Sequence, residues 1–181
     1  MSARIGDVYF DTCTLSNFAA VNRLDLLEER YDYRARWTET VRREVKRGVT
    51  SSPYLQQVLD ATWLGEPLEI EGTTVALTEI DNIRRGLGGT SDKPLEHLGE
   101  AEIIYHIENV DPSGIFITDD YSALDFAVAR GIVTIDTRRI LEECHSLGEI
   151  GCPDAFRLMQ DMQSHDRLVR VPASHMAVCP S

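Results

Sequence analysis

Residues 8–19 read VYFDTCTLSNFA, and this stretch decides the fold class. The apolar run over residues 5–10 predicts a buried β-strand that ends at Asp11. Residues 12–20 predict a helix directly afterwards, because apolar side chains recur there at helical spacing. A buried strand that leads straight into a helix is the repeating unit of α/β proteins.

The same alternation returns in the second half of the chain. Strands are predicted over residues 114–118 and 132–135, followed by helices over residues 123–130 and 137–147. Strands that alternate with helices favour a parallel sheet with helices on both faces. The predicted fold class is therefore α/β, as a three-layer α/β/α arrangement around a central parallel sheet.

The remaining segments give a coarser prediction. Further helices are expected over residues 22–30, 79–85, 98–108 and 154–163, one capped by Thr38, and one that opens at Pro53 and extends to Trp63. Residues 65–78 alternate weakly and suggest a strand or hairpin, and GLGGTSDKP (residues 86–94) suggests a flexible loop. We expect one domain over residues 1–150, with residues 151–181 as a C-terminal helix and tail, either part of it or accessory.

The composition leaves the class of function open. The 181-residue chain has 18 Lys and Arg against 30 Asp and Glu, a net charge of −12. This excess argues against a surface that grips nucleic acid everywhere, yet it fits a nuclease whose basic residues are local, or a protein with a basic partner. No long apolar run or signal-peptide pattern is present, so a cytoplasmic protein without membrane contact is expected.

The four cysteines, Cys13, Cys144, Cys152 and Cys179, lack metal-ligand spacing. We expect them to be free thiols in a reducing compartment.

Acidic residues end the predicted strands. Asp11 follows the first strand and Asp119-Asp120 the second, and ligands of such sheets gather beyond the carboxyl ends of the strands. Glu44 and Glu100 can reach the same place from helices. Carboxylates that share a pocket raise one another's pKa, and a hard divalent ion, Mg²⁺ or Mn²⁺, relieves the repulsion.

Each acid also has an ordinary structural role open to it. Asp11 and one of Asp119 and Asp120 are suited to capping a helix, Glu100 to the N-terminus of its helix, and Glu44 to a solvated charged face. Only their joint pattern favours a metal site.

Four stretches together resemble the PIN-domain family of ribonucleases, in that family's order. They are VYFDTCTLSNFA, ETVRREVKRG (residues 39–48), LGEAEIIYHI (residues 98–107) and FITDDYSALDFAVARGI (residues 116–132). The third resembles the Gly-Glu-Ala form of its motif, found in the subgroup that we associate with toxin-type members.

The resemblance implies a function and a set of residues. Asp11, Glu44, Glu100 and Asp119 would bind one or two Mg²⁺ or Mn²⁺ ions, with Asp120 as the alternate fourth ligand and with Thr12 and Thr118 orienting carboxylates or water. The reaction would be hydrolysis of RNA phosphodiester bonds, leaving a 5′-phosphate and a 3′-hydroxyl. The leading biological role would be the toxin of a toxin–antitoxin pair, with a protein antitoxin as partner. The oligomeric state stays open, a homodimer included.

Basic residues near the acids are the candidate RNA contacts. They are Arg42, Arg43, Lys46 and Arg47 around Glu44, and Arg84, Arg85 and Lys93 beside the glycine loop. A solvated charged face is the alternative explanation for such runs.

Other classes fit less well. A haloacid-dehalogenase phosphatase has a second Asp two residues after the first, where this chain has Cys13, and a dinucleotide-binding enzyme has glycines after the first strand. A Cys13 nucleophile needs a partner His, and no pattern places one beside it. Two alternatives stay open: an inert PIN-like module that binds RNA or protein, and a housekeeping RNA-processing nuclease.

Overall fold

A computed structural model describes residues 6–179 of the protein. The described residues form one sheet of four parallel strands, in the order β2-β1-β3-β4. The strands are β1 (Val8–Phe10), β2 (Ala35–Arg36), β3 (Ile115–Ile117) and β4 (Val133–Ile135). The predicted parallel sheet is confirmed. The sequence missed β2, because a strand of two residues is too short to show a period.

Helices connect the strands and cover both faces of the sheet in a three-layer α/β/α fold. They are α1 (Thr12–Ala20), α2 (Asp25–Tyr31), α3 (Glu39–Gly48), α4 (Gln56–Leu59), α5 (Thr74–Gly86), α6 (Leu98–Asn109), α7 (Tyr121–Ala129), α8 (Thr137–Ser146) and α9 (Asp154–Ser164). None of the described helices is long and apolar enough to cross a membrane.

Strands β1 and β3 lie side by side in the middle of the sheet. Phe10 is in register with Ile117, and the Asp11 amide donates to the Ile117 carbonyl at 3.2 Å. Because the strands are parallel, the residues that follow them leave the sheet at the same edge. The register therefore brings Asp11 close to the Thr118–Asp120 segment, although more than a hundred residues separate them.

One hydrophobic core joins the two halves of the chain. It contains Phe10 and Phe116 from the sheet, Phe18 from α1, and Met159 and Met162 from α9, all with little or no solvent exposure. Helix α9 packs against α1 and α8. The C-terminal helix thus shares the core of the residues that precede it.

The prediction for residues 65–78 is wrong over its second half. Thr73 caps α5, its side chain accepting from the Ala76 amide, and the helix buries Ile80 and Ile83 on one face. The β-type pairing found in this region is an isolated bridge between Thr38 and Leu68. The cap and the helical period outweighed the weak alternation.

The helix expected from Pro53 to Trp63 is also shorter than predicted. Residues Pro53–Leu55 form a single 3₁₀ turn, and α4 ends at Leu59, before Trp63.

The expectation that every cysteine is free is wrong for one pair. Cys152 and Cys179 form a disulfide with a Cα–Cα distance of 6.0 Å, while Cys13 and Cys144 are free thiols. The two paired residues are 27 positions apart and meet because the tail folds back onto the body of the protein. No local spacing pattern indicates such a contact.

Gly114, just before β3, tests the packing of the central strands. A Cβ there would lie 2.7 Å from the Tyr9 ring and 3.0 Å from both the Asp111 carbonyl and the Ile107 side chain. Gly114→Ala should therefore destabilise the protein by about 1–3 kcal/mol, the usual cost of overpacking. Urea denaturation measures the change. The matched control is Gly72→Ala, where a Cβ meets nothing within 4 Å; equal stability of the two variants would contradict this packing.

Candidate metal centre

The five predicted acids line one cavity of about 660 Å³ at the carboxyl edge of the sheet. They are Asp11, Glu44, Glu100, Asp119 and Asp120. Asp11 follows β1 and caps α1, its Oδ1 accepting from the Thr14 amide at 3.0 Å. The sheet supplies one side of this site and the helices α3 and α6 supply the other.

A glycine lets the two helical acids approach each other. Gly99 precedes Glu100 in the first turn of α6, and a Cβ at Gly99 would lie 3.1 Å from Val41 Cγ2 and 3.4 Å from Glu44 Oε1. A larger residue would push α6 away from α3. Gly99 thus allows α6 to pack closely against α3, and this packing brings the next residue, Glu100, close to Glu44.

Burial and crowding raise the pKa of the central acids. Burial, together with the charge of Glu100, raises the pKa of Asp11 to about 7. Burial also raises the pKa of Glu44 to about 7, and the Glu100 charge adds to this, although a hydrogen bond from Thr12 opposes it. Burial raises the pKa of Glu100 as well. A bound cation would favour the ionised form of all three.

Asp119 and Asp120 have different surroundings. Asp119 is buried, and its carboxylate accepts from the Thr14 hydroxyl at 2.9 Å, the Asn17 amide at 2.8 Å, and both the backbone amide and the hydroxyl of Thr137. Asp120 caps α7 with Oδ1, which accepts from the Ser122 and Ala123 amides. Its Oδ2 is one of the oxygens available to a ligand.

The two predicted hydroxyl residues contact the acids. Thr12 donates to Glu44 Oε2, and Thr118 donates to Asp11 Oδ2. The Cys13 thiol also donates to Asp11 Oδ2, at 2.8 Å. Burial and the Asp11 charge raise the pKa of Cys13 well above its ordinary value, so this cysteine stays a neutral donor and does not become a nucleophile.

His97 belongs to this site, and the sequence interpretation missed it. Its Nδ1 lies 3.7 Å from Glu100 Oε1 and 3.8 Å from Asp120 Oδ2. One ligand atom from each of these three residues lies within 4.8 Å of the others, a spacing suited to a shared ion. The available signal was its position three residues before Glu100, at the start of the same helix.

Most of the predicted RNA-contact residues already have partners. Arg84 is only 4% exposed, and it binds Asp81 and the carbonyls of Thr90 and Lys93. Its buried side chain holds the glycine loop in place, which contradicts the predicted RNA contact. Arg42 and Arg43 pair with Glu39, and Arg85 pairs with Asp81.

Two basic residues do reach the acids. Arg47 and Lys93 line a groove together with Glu44, Glu100 and His97, and Lys93 also pairs with Glu96 at 3.6 Å. Arg43, Lys46 and Arg47 line an adjoining groove with Leu95 and Leu98.

The C-terminal tail forms another wall of the acidic cavity. Gln163 and residues 167–170 line it. No pattern in the sequence predicted where this segment lies.

The DUF3368 family model, described as a PIN domain, matches residues 7–177. The protein belongs to the PIN-domain family. No curated protein and no solved structure matched the chain. The family match covers the sheet, the five acids and the C-terminal wall, and PIN domains have a nuclease-type fold.

Asp119→Asn tests the structural role of the buried acid in this PIN domain. The asparagine would point an amide NH₂ at groups that themselves donate, so we expect a loss of about 2–4 kcal/mol in the free energy of unfolding. Chemical denaturation measures it. Asp120→Asn is the control and should cost less, because Asn also caps helices. A smaller loss for Asp119→Asn than for Asp120→Asn would contradict this division of roles.

Proposed function

We propose that this PIN domain is a metal-dependent ribonuclease that hydrolyses RNA phosphodiester bonds. The observation that carries the proposal is the meeting of Asp11, Glu44 and Glu100 in one cavity, with their pKa values raised by burial and mutual repulsion. Perturbed carboxyls of this kind are typical of functional sites.

The donor set fits a hard divalent ion, Mg²⁺ or Mn²⁺. Glu100 and Asp120, together with His97, offer ligand atoms at the spacing of one shared ion. We assign Asp11 and Glu44, which line the same cavity as Glu100 and Asp120, as further residues that would hold one or two such ions. Asp119, the first choice from the sequence, becomes the positioning residue of the site, since its oxygens are engaged by four donors from the protein. When bound, such an ion lowers the pKa of water and stabilises the charge on the phosphate.

The other residues orient these carboxylates. Thr12 and Thr118 each donate a hydrogen bond to one carboxylate oxygen, of Glu44 and Asp11 respectively, which orients these two side chains. Arg47 and Lys93, which line the neighbouring groove, are suited to binding the phosphates of the RNA strand.

Replacement of single carboxylates should abolish cleavage. We expect Asp11→Asn and Glu100→Gln each to reduce metal-dependent cleavage of a labelled single-stranded RNA by at least about 100-fold. The control is Glu102→Gln, on the same helix as Glu100. Its carboxylate is also half-buried, but it accepts from the Thr40 hydroxyl and lies outside the cavity lining.

The control should cleave RNA at close to the wild-type rate. Retained cleavage in Asp11→Asn, or equal losses in Glu100→Gln and Glu102→Gln, would contradict the proposed centre. An inert binding module would bind RNA and show no metal-dependent cleavage in the wild-type protein.

His97 should influence the choice of metal. Imidazole nitrogen is a better ligand for Mn²⁺ than for Mg²⁺. His97→Gln should therefore weaken Mn²⁺ binding by about tenfold and Mg²⁺ binding much less, as measured by titration calorimetry. His165→Gln, on an exposed residue at the end of α9, is the control. Equal losses for the two ions would remove His97 from the ligand set.

For the biological role we propose the toxin of a toxin–antitoxin pair. The acidic cavity would favour a cationic side chain from a protein antitoxin. Expression of the wild-type protein should then arrest growth, and expression of Asp11→Asn should not. A housekeeping RNA-processing nuclease would leave growth unaffected in both cases.

A further inference from the structure

Most cationic side chains among residues 6–179 form ion pairs with carboxylates, as expected in so acidic a chain. Within that range, Lys46, Arg47, Arg167 and Arg170 form none, and neither does Arg34, which donates instead to the Gly6 carbonyl at 2.8 Å. Lys46 lines the groove that contains Leu95 and Leu98, and Arg47 lines both this groove and the one that contains Glu44 and Glu100, while Arg167 and Arg170 line the acidic cavity. Three of the five cations without a carboxylate partner, Arg47, Arg167 and Arg170, therefore lie in cavities that the acids also line.

Arg167 has a donor that nothing in the described protein uses. Its Nη1 donates to the Tyr54 hydroxyl at 3.0 Å, which fixes the guanidinium. Its Nε is buried and has no hydrogen-bond partner. A buried N–H without an acceptor is uncommon in folded proteins, and the arginine that carries it lines the cavity, where a ligand can supply acceptors to its guanidinium.

Arg170 is held by a different contact. Its guanidinium carbon lies 3.3 Å from the centroid of the Tyr121 ring, and its backbone amide donates to the Tyr121 hydroxyl at 3.2 Å. Tyr121 directly follows Asp120 in the chain. Stacking positions the guanidinium beside the acids and leaves its N–H groups free to bind an anion.

The segment that carries these arginines is anchored on both sides. Before it, α9 contributes Met159 and Met162 to the core. After it, the Ala177 carbonyl accepts from Arg138 at 2.8 Å, and Cys179 pairs with Cys152. The segment is thus held in place as one wall of the cavity.

Two of the acids are shared by two cavities, and each of these cavities also contains cations. Glu44 and Glu100 line both the cavity that contains Arg167 and Arg170 and the groove that contains Arg47. A polyanion approaching carboxylates needs positive charge on either side of them to offset the repulsion, and a guanidinium can bind a phosphate through two parallel hydrogen bonds.

We propose that Arg167 and Arg170 bind phosphate groups of the RNA strand, on the opposite side of the acids from Arg47 and Lys93. This inference rests on the proposed ribonuclease function. It adds two arginines from the C-terminal segment to the proposed RNA-binding site. The strand crosses the carboxylates while it is held at both ends by cations.

The test is the binding of a fluorescein-labelled single-stranded RNA, followed by anisotropy across a range of salt concentrations. All variants carry Asp11→Asn to prevent cleavage. Arg167→Gln and Arg170→Gln should each weaken binding by about tenfold, and each should reduce the slope of log affinity against log salt by about 0.7, the value for one phosphate contact on a single strand. Arg157→Gln, an exposed arginine of α9 paired with Asp154, is the matched control and should change neither.

A second control separates charge from position. Tyr54→Phe removes the hydrogen bond to Arg167 and keeps the guanidinium, so RNA affinity should fall by less than about threefold. If Tyr54→Phe weakened binding as much as Arg167→Gln with an unchanged salt slope, a phosphate contact by Arg167 would be excluded.

The two proposals fail in distinguishable ways. If the wild-type protein cleaves RNA and both arginine variants bind like Arg157→Gln, the C-terminal contact is wrong and the ribonuclease function stands. If the wild-type protein neither cleaves nor binds RNA, the ribonuclease function is wrong, and the C-terminal contact falls with it.

Discussion

The burial of several carboxylates in one cavity is the constraint on which the site depends. Asp11 is 3% exposed; this burial is the main reason that its pKa is raised, and the Glu100 charge adds to the rise, so the ionised form is disfavoured. The fold tolerates this cost because the register of β1 with β3 and the close contact at Gly99 hold the acids in place. Such stored electrostatic strain is typical of a centre that is completed by a cation.

The other residues of the cavity hold these acids in place. Asp119, buried among four donors, ties α1, β3 and α8 together beneath the acids, and Thr12 and Thr118 orient the carboxylates above it. Arg47, Arg167 and Arg170, which form no ion pair with a carboxylate, line this cavity or the neighbouring groove. Under the proposed function, this distribution would allow a chain with a net charge of −12 to bind RNA, because these cations lie next to the acids.

The sequence predicted the sheet from local strand patterns. It also predicted that the acids meet, because residues that follow neighbouring parallel strands lie at the same edge of a sheet. It could not distinguish Asp119 from Asp120, since their difference comes from Asn17 and Thr137, residues distant in the chain. The Cys152–Cys179 pair and the wall formed by Arg167 and Arg170 were missed for the same reason: each depends on a contact made by tertiary folding. His97 has a local signal, its position three residues before Glu100, and only its contact with Asp120 is tertiary. Arg84 was predicted to contact RNA because charged side chains usually lie at the surface, whereas in the structure this arginine is buried.

The most direct measurement is an anomalous difference map from crystals of the protein soaked in Mn²⁺. A peak should lie between the carboxylates of Asp11, Glu44 and Glu100, with Asp120 and His97 within reach and Asp119 still bonded to Thr14 and Thr137. The absence of a peak from this cavity, with Mn²⁺ bound only at the outer surface, would contradict the central claim that these acids are brought together to hold a divalent ion.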